Sequence, residues 1–144
     1  MRALSVGEQL PQLALPITPT MVVSTALATR DFQDVHHDRD RAQAAGSRDI
    51  FVNILTSTAL CERYVTAWAG ADVELRGIAI RLGAPAYPYD TLTFSGSVAA
   101  IEDGVATIAV TGAVSLGDHV TGTVRIAADG SAARSSHLDH RAGA

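Results

Sequence analysis

One helix-forming segment followed by four strand-forming segments limits the folds open to this chain of 144 residues. From Asn53 to Trp68, apolar residues recur every three or four positions, which predicts a helix that Asn53 caps and Gly70 ends. Segments rich in Val, Ile and Thr with strand-like alternation follow at 73–82, 91–101, 105–114 and 120–127. This order predicts an α+β fold in which an antiparallel sheet wraps around one long central helix that is buried on most sides.

Short polar segments mark where the other elements begin and end. The dipeptides Asp103-Gly104 and Gly117-Asp118 predict the turns between the later strands. Asp38 is placed to cap a short helix over residues 39–45, and Gly46 would close that helix. These signals are local and need no knowledge of the tertiary structure.

The two ends of the chain carry weaker patterns. Prolines punctuate residues 1–19, and an apolar patch at 13–17 predicts a short strand or an extended segment. Residues 20–29 combine strand-favouring Val with helix-favouring Ala and Leu, so helix and strand both stay open. We expect a single domain over residues 1–130, and a disordered tail over the small, polar residues 131–144.

Composition narrows the classes of partner and compartment. The chain is 47% hydrophobic and 18% charged, which favours a folded domain with a buried subunit interface. Its net charge of -4 and the lack of a stripe of basic residues argue against nucleic acid as a binding partner. The single cysteine, Cys61, excludes an internal disulfide, and the chain shows neither a signal-peptide pattern nor an apolar run of membrane-spanning length. We therefore expect a cytoplasmic protein with no membrane partner.

A cluster of ionisable residues at 29–38 carries the strongest chemical signal. Asp31 and His36 are five positions apart in a turn-prone segment, so both side chains can converge on one water as an acid/base pair. The free backbone N–H groups at the start of the long helix, around Asn53 and Ile54, could hold a developing oxyanion. Together these groups suit the addition of water across an activated double bond.

Three segments of the chain resemble one known family. The run Asp31-Phe32-Gln33-Asp34-Val35-His36 is similar to the hydratase motif of the MaoC-like, (R)-specific enoyl-CoA hydratases. The run Asp49-Ile50-Phe51-Val52-Asn53-Ile54-Leu55 falls where that family begins its central helix. Residues 81–92 resemble the family's strand, proline and aspartate-bearing turn. The resemblance covers roughly residues 20–127 and implies a hot-dog fold.

Longer runs, at 28–40, 49–55 and 116–121, resemble one branch of this family, the small catalytic subunits of actinobacterial steroid side-chain hydratases. That resemblance implies hydration of a steroid enoyl-CoA to the 3-hydroxyacyl-CoA, with CoA as part of the substrate and no separate cofactor. It also implies a heteromeric complex with a larger MaoC-like subunit, through which an aldolase could associate. A homodimer and a heterotetramer both stay open.

The resemblance implies roles for individual residues. Asp31 and His36 would activate the water and then protonate the α-carbon of the substrate. The family's oxyanion donor lies at a His-Gly pair, whose positions are Val52 and Asn53 here, and the backbone N–H of Asn53 would take that role. The family's Asn-Pro inside the motif is also replaced, by Gln33-Asp34.

Several other interpretations compete with this one. Asp31 and His36 could be ordinary surface groups of a charged loop. The same cluster offers metal-ligand types, although no second group of His or Cys elsewhere closes a coordination shell, so no metal is expected. The chain could instead be a non-catalytic hot-dog partner subunit, or a hot-dog acyl-CoA thioesterase.

Most of the remaining polar and aromatic residues have simpler predicted roles. We expect core or interface packing for Cys61, Tyr64 and Trp68. His37 and Asp40 should be solvated or capping. His119 lies next to a predicted turn, so we expect it to be exposed.

Overall fold

The structure is a computed structural model that describes residues 3–128. Within that range five strands and three α-helices form, together with a 3-10 turn at Asp34–His36. The strands are β1 (Gln9–Pro16), β2 (Leu75–Leu82), β3 (Thr91–Glu102), β4 (Val105–Val114) and β5 (Gly117–Ala127). The helices are α1 (Pro19–Ala28), α2 (Arg39–Ala44) and α3 (Ile54–Ala69). The predicted tail at 131–144 lies outside the described residues.

The strands form one antiparallel sheet in the order β1-β3-β4-β5-β2. The predicted turn at Asp103-Gly104 is confirmed, and both residues have positive φ, 49° and 73°, as a two-residue hairpin requires. The sheet curls around α3, so the predicted antiparallel sheet on a central helix is confirmed. None of the helices within residues 3–128 is long and apolar enough to cross a membrane.

The turn between β4 and β5 lies earlier than predicted. Ser115 and Leu116 form it, and Gly117 already begins β5, so the prediction of a turn at Gly117-Asp118 is wrong. The cause is a tertiary contact, because the carboxylate of Asp90 accepts hydrogen bonds from the backbone N–H and the hydroxyl of Ser115. The strand that carries His119 therefore starts sooner than its sequence pattern indicates.

Helix α3 packs on the sheet through one face. Its buried residues include Cys61, Tyr64 and Val65, and the Tyr64 ring stacks on Phe94 with 5.5 Å between the ring centroids. Burial of an apolar side chain of this size stabilises the fold by roughly 1.5–3 kcal/mol. The predicted core packing of Cys61 and Tyr64 is confirmed, and Trp68 lies partly buried against the same core.

The first turn of α3 differs from the expectation of a helix buried on most sides. Ile54 and Leu55 are 52% and 51% exposed, and Ala59 is exposed as well. The sheet covers one side of the helix, so these apolar residues on the other side stay about half exposed. That expectation was wrong for this face of the helix.

Helix α1 resolves the segment that the sequence left open. The Thr18 hydroxyl accepts a hydrogen bond from the Met21 N–H at 3.0 Å, and Pro19 occupies the first helical position. These two signals at the start of the segment outweigh the strand preference of Val22 and Val23. Strand β1 precedes the helix and begins at Gln9, earlier than the apolar patch at 13–17 indicated.

Candidate active site

The C-terminal end of α1 positions Asp31. The N–H of Asp31 donates to the Ala26 carbonyl at 2.9 Å and the N–H of Arg30 donates to the Leu27 carbonyl at 3.0 Å, the paired bonds of a Schellman motif. Arg30 takes the left-handed conformation, with φ of 57°, at a position that favours glycine. The helix end therefore turns the chain sharply and holds the Asp31 backbone in place.

A 3-10 turn and the segment before α3 position His36. Its Nδ1 lies 2.8 Å from the Phe51 carbonyl oxygen, and the two rings meet edge to face with centroids 4.8 Å apart. A carbonyl oxygen can only accept, so Nδ1 carries the proton and Nε2 of the neutral ring has a free lone pair. The fold thus selects the tautomer in which Nε2 can act as a base.

Asp31 and His36 meet at one point, as the sequence predicted. The Nε2 of His36 lies 3.3 Å from the Oδ2 of Asp31, and both atoms are acceptors while the imidazole is neutral. A water placed there can donate hydrogens to both, which leaves its lone pairs free to attack a substrate. The arrangement is the geometry that general base catalysis requires.

The side chain of Asn53 joins this pair, a role that sequence reasoning missed. Its Nδ2 donates to the Asp31 Oδ2 at 3.1 Å and to the Thr29 Oγ1 at 2.9 Å, while its Oδ1 caps α3 by accepting from the Thr56 N–H at 3.0 Å. The predicted capping role of Asn53 is confirmed. An amide where the resembling family has glycine was the signal that could have indicated the second role.

These contacts set the protonation of Asp31. Partial burial raises the pKa of the carboxyl, but the hydrogen bonds from the Asn53 side chain and the Gln33 backbone, with the nearby His36, outweigh burial. The net result is a pKa below the ordinary value for aspartate. Asp31 is therefore a carboxylate at neutral pH, ready to accept a proton.

Two backbone N–H groups at the start of α3 were candidates for the oxyanion donor. The N–H of Val52 is already used, because it donates to the Ala86 carbonyl at 3.1 Å. For Asn53, no backbone N–H bond to an acceptor forms within residues 3–128. It lies at the positive end of the 16-residue helix α3, where a developing negative charge is stabilised.

These groups face a cavity of about 360 Å³. The start of α3 forms one wall of the cavity, and the segment that follows β2 forms another. The lining residues are Asp31, Gln33, His36, Phe51, Val52, Asn53, Ile54, Leu82, Gly83, Ala84, Pro85 and His119. Apart from Asp31, His36 and the amide side chains of Gln33 and Asn53, the lining is mostly apolar and suits an acyl group.

His119 lies in this lining, which corrects the expectation that it is exposed. It is 2% exposed, with Nε2 2.7 Å from the Ser57 hydroxyl and Nδ1 2.7 Å from the Ala84 carbonyl oxygen. Burial lowers the pKa of His119, and the hydrogen bond to Ala84 opposes that effect in part. The error arose because the predicted turn beside His119 lies earlier, and the residue is inside a paired strand.

The other ionisable residues of the cluster have structural contacts. Asp38 accepts from the Arg41 N–H at 3.1 Å, so its predicted capping role is confirmed, and Gly46 follows the end of α2 with a positive φ of 90°. Asp34 pairs with Arg41 at 3.0 Å and lies 3.7 Å from the His37 ring. Within residues 3–128, no three His, Cys, Asp or Glu side chains are grouped so that they could hold a metal ion.

Cys61 is remote from any nucleophilic role. It is buried in the core, and burial raises the pKa of its thiol to about 11. The thiol therefore stays protonated at neutral pH and is unreactive.

Comparisons of the sequence with known proteins support the family that this fold and site indicate. The MaoC-like domain model matches residues 3–120. The β subunit of a 3-oxo-4,17-pregnadiene-20-carboxyl-CoA hydratase from Mycobacterium tuberculosis is 62% identical over 121 residues, which are 84% of this chain and 94% of that protein.

Two solved structures show the same fold. A chain in the crystal structure of the ChsH1-ChsH2 complex from Mycobacterium tuberculosis is 61% identical, with a TM-score of 0.84 over 85% of this chain and 97% of that one. The (R)-hydratase from A. caviae is 20% identical, with a TM-score of 0.80 over 90% of this chain and 100% of that one, and supports the hot-dog fold alone. With a family model that spans most of its length and a relative of this identity, the chain belongs to the MaoC-like domain family.

Proposed function

We propose that this chain is the hydrating subunit of an enoyl-CoA hydratase that adds water to a 2-enoyl-CoA thioester and forms the 3-hydroxyacyl-CoA. The observation that carries the proposal is the 3.3 Å approach of His36 Nε2 to Asp31 Oδ2 at the edge of a mostly apolar cavity. While the imidazole is neutral both atoms are acceptors, and a water that donates to both can bridge them. They can position and deprotonate a water.

In the proposed reaction the water loses a proton to the Asp31 and His36 pair while its oxygen attacks the β-carbon. The electrons of the double bond move toward the thioester, which gains the charge of an enolate on its carbonyl oxygen. The proton then returns from the pair to the α-carbon, so that the product has gained the hydroxyl and the hydrogen of one water. Proton transfer by a positioned side chain contributes about 10²–10⁴-fold to such a rate.

The enolate oxygen needs a hydrogen-bond donor of its own, separate from the acid/base pair. We assign that role to the backbone N–H of Asn53, which has no acceptor within the described chain and lies at the N-terminus of α3. The same residue thus serves twice, since its side chain holds the Asp31 carboxylate. The proposed oxyanion donor and the amide that holds the carboxylate therefore belong to one residue.

We propose a bulky, steroid-type acyl group as the substrate and a second, larger MaoC-like subunit as the partner. The name of the relative at 62% identity specifies a pregnadiene carboxyl-CoA, and a similar chain comes from a two-protein complex. The cavity of about 360 Å³ is near the lower limit of roughly 300–1,000 Å³ for ligand pockets. Ile54, which lines the cavity, and Phe32 and Leu55, which are next in the chain to lining residues, have exposed apolar side chains that a partner could cover.

We also propose the cytoplasm as the compartment of the reaction. Its support is the free, buried thiol of Cys61, which suits a reducing environment.

The test is an enoyl-CoA panel, from short linear chains to polycyclic acyl groups, given to the chain alone and to the chain copurified with its partner subunit. We expect loss of the absorbance of the conjugated thioester, formation of the 3-hydroxyacyl-CoA, and the fastest turnover with the polycyclic substrate and the complete complex. Failure of every substrate to gain water would contradict the proposal.

The same panel separates the two alternative functions. A thioesterase would release free CoA thiol and would act on saturated substrates as well. For a non-catalytic partner subunit, activity of the complex would survive the change Asp31→Asn in this chain.

A further inference from the structure

Ser57 and His119 form a buried hydrogen-bonded pair that the proposed reaction does not use. Ser57 is the fourth residue of α3, and His119 lies near the start of β5, 62 residues later in the chain. Their side chains meet at 2.7 Å, and Ser57 and His119 are 0% and 2% exposed. A polar pair that is removed from water in this way costs free energy unless its contacts are well satisfied.

Both nitrogens of His119 are occupied by protein atoms. The Ala84 carbonyl oxygen accepts from Nδ1 at 2.7 Å, which leaves Nε2 of the neutral ring to accept the single hydroxyl hydrogen of Ser57 at 2.7 Å, the shorter of the two contacts of that hydroxyl. The other contact is with the Asn53 carbonyl oxygen at 3.1 Å. Neither nitrogen is free to exchange a proton with a substrate. The ring therefore borders the cavity as a fixed spacer between two protein segments.

The segment that His119 holds is a wall of the cavity at residues 82–85, which comprises the last residue of β2 and the three residues after it. The N–H of Gly83 donates to the His119 carbonyl and the N–H of Ala84 donates to the Asp118 carbonyl, both at 2.8 Å. Any Cβ at position 83 would lie 2.4 Å from the Asp118 carbonyl oxygen, so glycine is needed for this close approach. The wall is thus fastened to β5 at the backbone level.

Two contacts join the wall and the residue after it to the start of α3. The N–H of Val52 donates to the Ala86 carbonyl at 3.1 Å. The His119 side chain spans from Ala84 to Ser57 on the helix. Val52 and Asn53 line the cavity together with residues 82–85, so both contacts link segments that line it.

We propose that Ser57 and His119 are positioning residues that fix the separation of α3 and the wall segment, and thereby determine which acyl groups the cavity accepts. This inference rests on the proposed function for the identity of the ligand, an acyl-CoA. It adds a determinant of specificity that is distinct from Asp31 and His36. The chemistry itself stays with that acid/base pair.

Two variants in the complete complex test this inference. Ser57→Ala removes the hydroxyl and keeps the imidazole, while His119→Asn keeps a donor near the Nδ1 position and removes the reach to Ser57. The matched control is Thr66→Ala, which removes a hydroxyl from the far end of the same helix, where it bonds the Arg63 carbonyl. Should His119→Asn fail to fold, as judged by thermal unfolding, Ser57→Ala still tests the contact.

The first measurement is equilibrium binding of saturated thioesters, with butyryl-CoA as the compact ligand and a polycyclic acyl-CoA as the bulky one. We expect the ratio of the two dissociation constants to be about tenfold closer to one in both variants than in wild type. In the control the ratio should equal that of wild type. Identical ratios in wild type and both variants would overturn the inference. Because binding needs no hydration, a complex that binds without turnover would refute the proposed function alone.

The second measurement is steady-state hydration of the matching enoyl thioesters. A positioning role changes KM and its dependence on the acyl group, and leaves the pH profile of kcat as in wild type. A uniform loss of kcat with an altered pH profile would instead show that His119 takes part in proton transfer, and would overturn the inference.

Discussion

The side-chain amide of Asn53 donates a hydrogen bond of 3.1 Å to the carboxylate of Asp31, 22 residues earlier in the chain. The same Nδ2 reaches Thr29, and the Oδ1 of Asn53 caps α3. The orientation of the amide is therefore determined by three partners at once. Through this one residue, the position of the carboxylate is coupled to the start of the central helix.

The change Asn53→Ser should keep the N-cap of α3 and remove the hydrogen bond to Asp31. Serine is a good N-cap but is too short to reach the carboxylate, so the stability of α3 should be kept. Loss of a hydrogen bond that lowers the pKa of Asp31 should raise that pKa, and the rate of hydration should fall by about 10- to 100-fold. The measurement is the carboxyl ¹³C shift of Asp31 against pH, beside kcat. An unchanged titration would show that the amide has no influence on the carboxyl.

The change Asp31→Asn tests the acid/base pair directly. Hydration should fall by about 10²–10⁴-fold, because the amide cannot accept the proton of the water. Thermal unfolding should be nearly unchanged, since an amide oxygen can still accept from Asn53. The matched control is Asp34→Asn, a half-exposed carboxylate of the same segment that pairs with Arg41, and its kcat should equal that of wild type. Equal losses in the two variants would argue for a general charge effect.

The change Arg30→Gly should stabilise the protein. Arg30 has a φ of 57° at the end of α1, where a Cβ is unfavourable and glycine is not. We expect the free energy of unfolding to rise by roughly 0.5–1 kcal/mol, seen as a higher urea midpoint with an unchanged slope. Arg30→Ala keeps the Cβ and should show no gain. A gain of equal size in both variants would assign the effect to the loss of the Arg side chain.

His119 should contribute a pH-dependent part of the stability. Burial lowers its folded-state pKa below the ordinary value of 6.5, so below pH 6.5 the unfolded chain binds a proton that the folded chain does not. This contribution is fully present above pH 6.5, and is lost as the pH falls from there toward the folded-state pKa.

Urea unfolding of wild type and His119→Asn between pH 7.5 and pH 5 measures this difference. The free energy of unfolding of wild type should decline more steeply with falling pH, because asparagine does not titrate. Parallel declines would show that protonation of His119 does not change the free energy of unfolding, and that other groups account for the loss of stability in acid.

Elements whose signals are local were predictable. Asn53 and Asp38 cap their helices as expected, and Asp103-Gly104 forms its turn, because each of these depends on groups a few residues apart. The MaoC-like family and the hot-dog fold were also identified from short motifs. Asp31 and His36 were brought together in the prediction by their spacing, and they lie together in the structure.

Features that depend on distant segments were not predictable. The burial of His119 requires the wall at residues 82–85 and Ser57 on α3, and neither is close in sequence. The earlier turn before β5 depends on the carboxylate of Asp90, 25 residues from Ser115. The exposed first turn of α3 reflects which side of the helix the sheet covers, a choice that periodicity alone leaves undetermined.

The sequence by itself determined the order of the central helix and the strands that follow it, the residues that cap α2 and α3, and the proximity of Asp31 and His36, because each follows from short-range chemistry. The tertiary structure alone decided the tautomer of His36, through the Phe51 carbonyl, and the anchoring of Asp31 by Asn53. Both are contacts between residues at least 15 positions apart, so they exist only once α1, α3 and the loop between them have packed. The strength of a hydrogen bond depends steeply on distance and angle. For residues far apart in the chain, the tertiary structure sets that distance and angle.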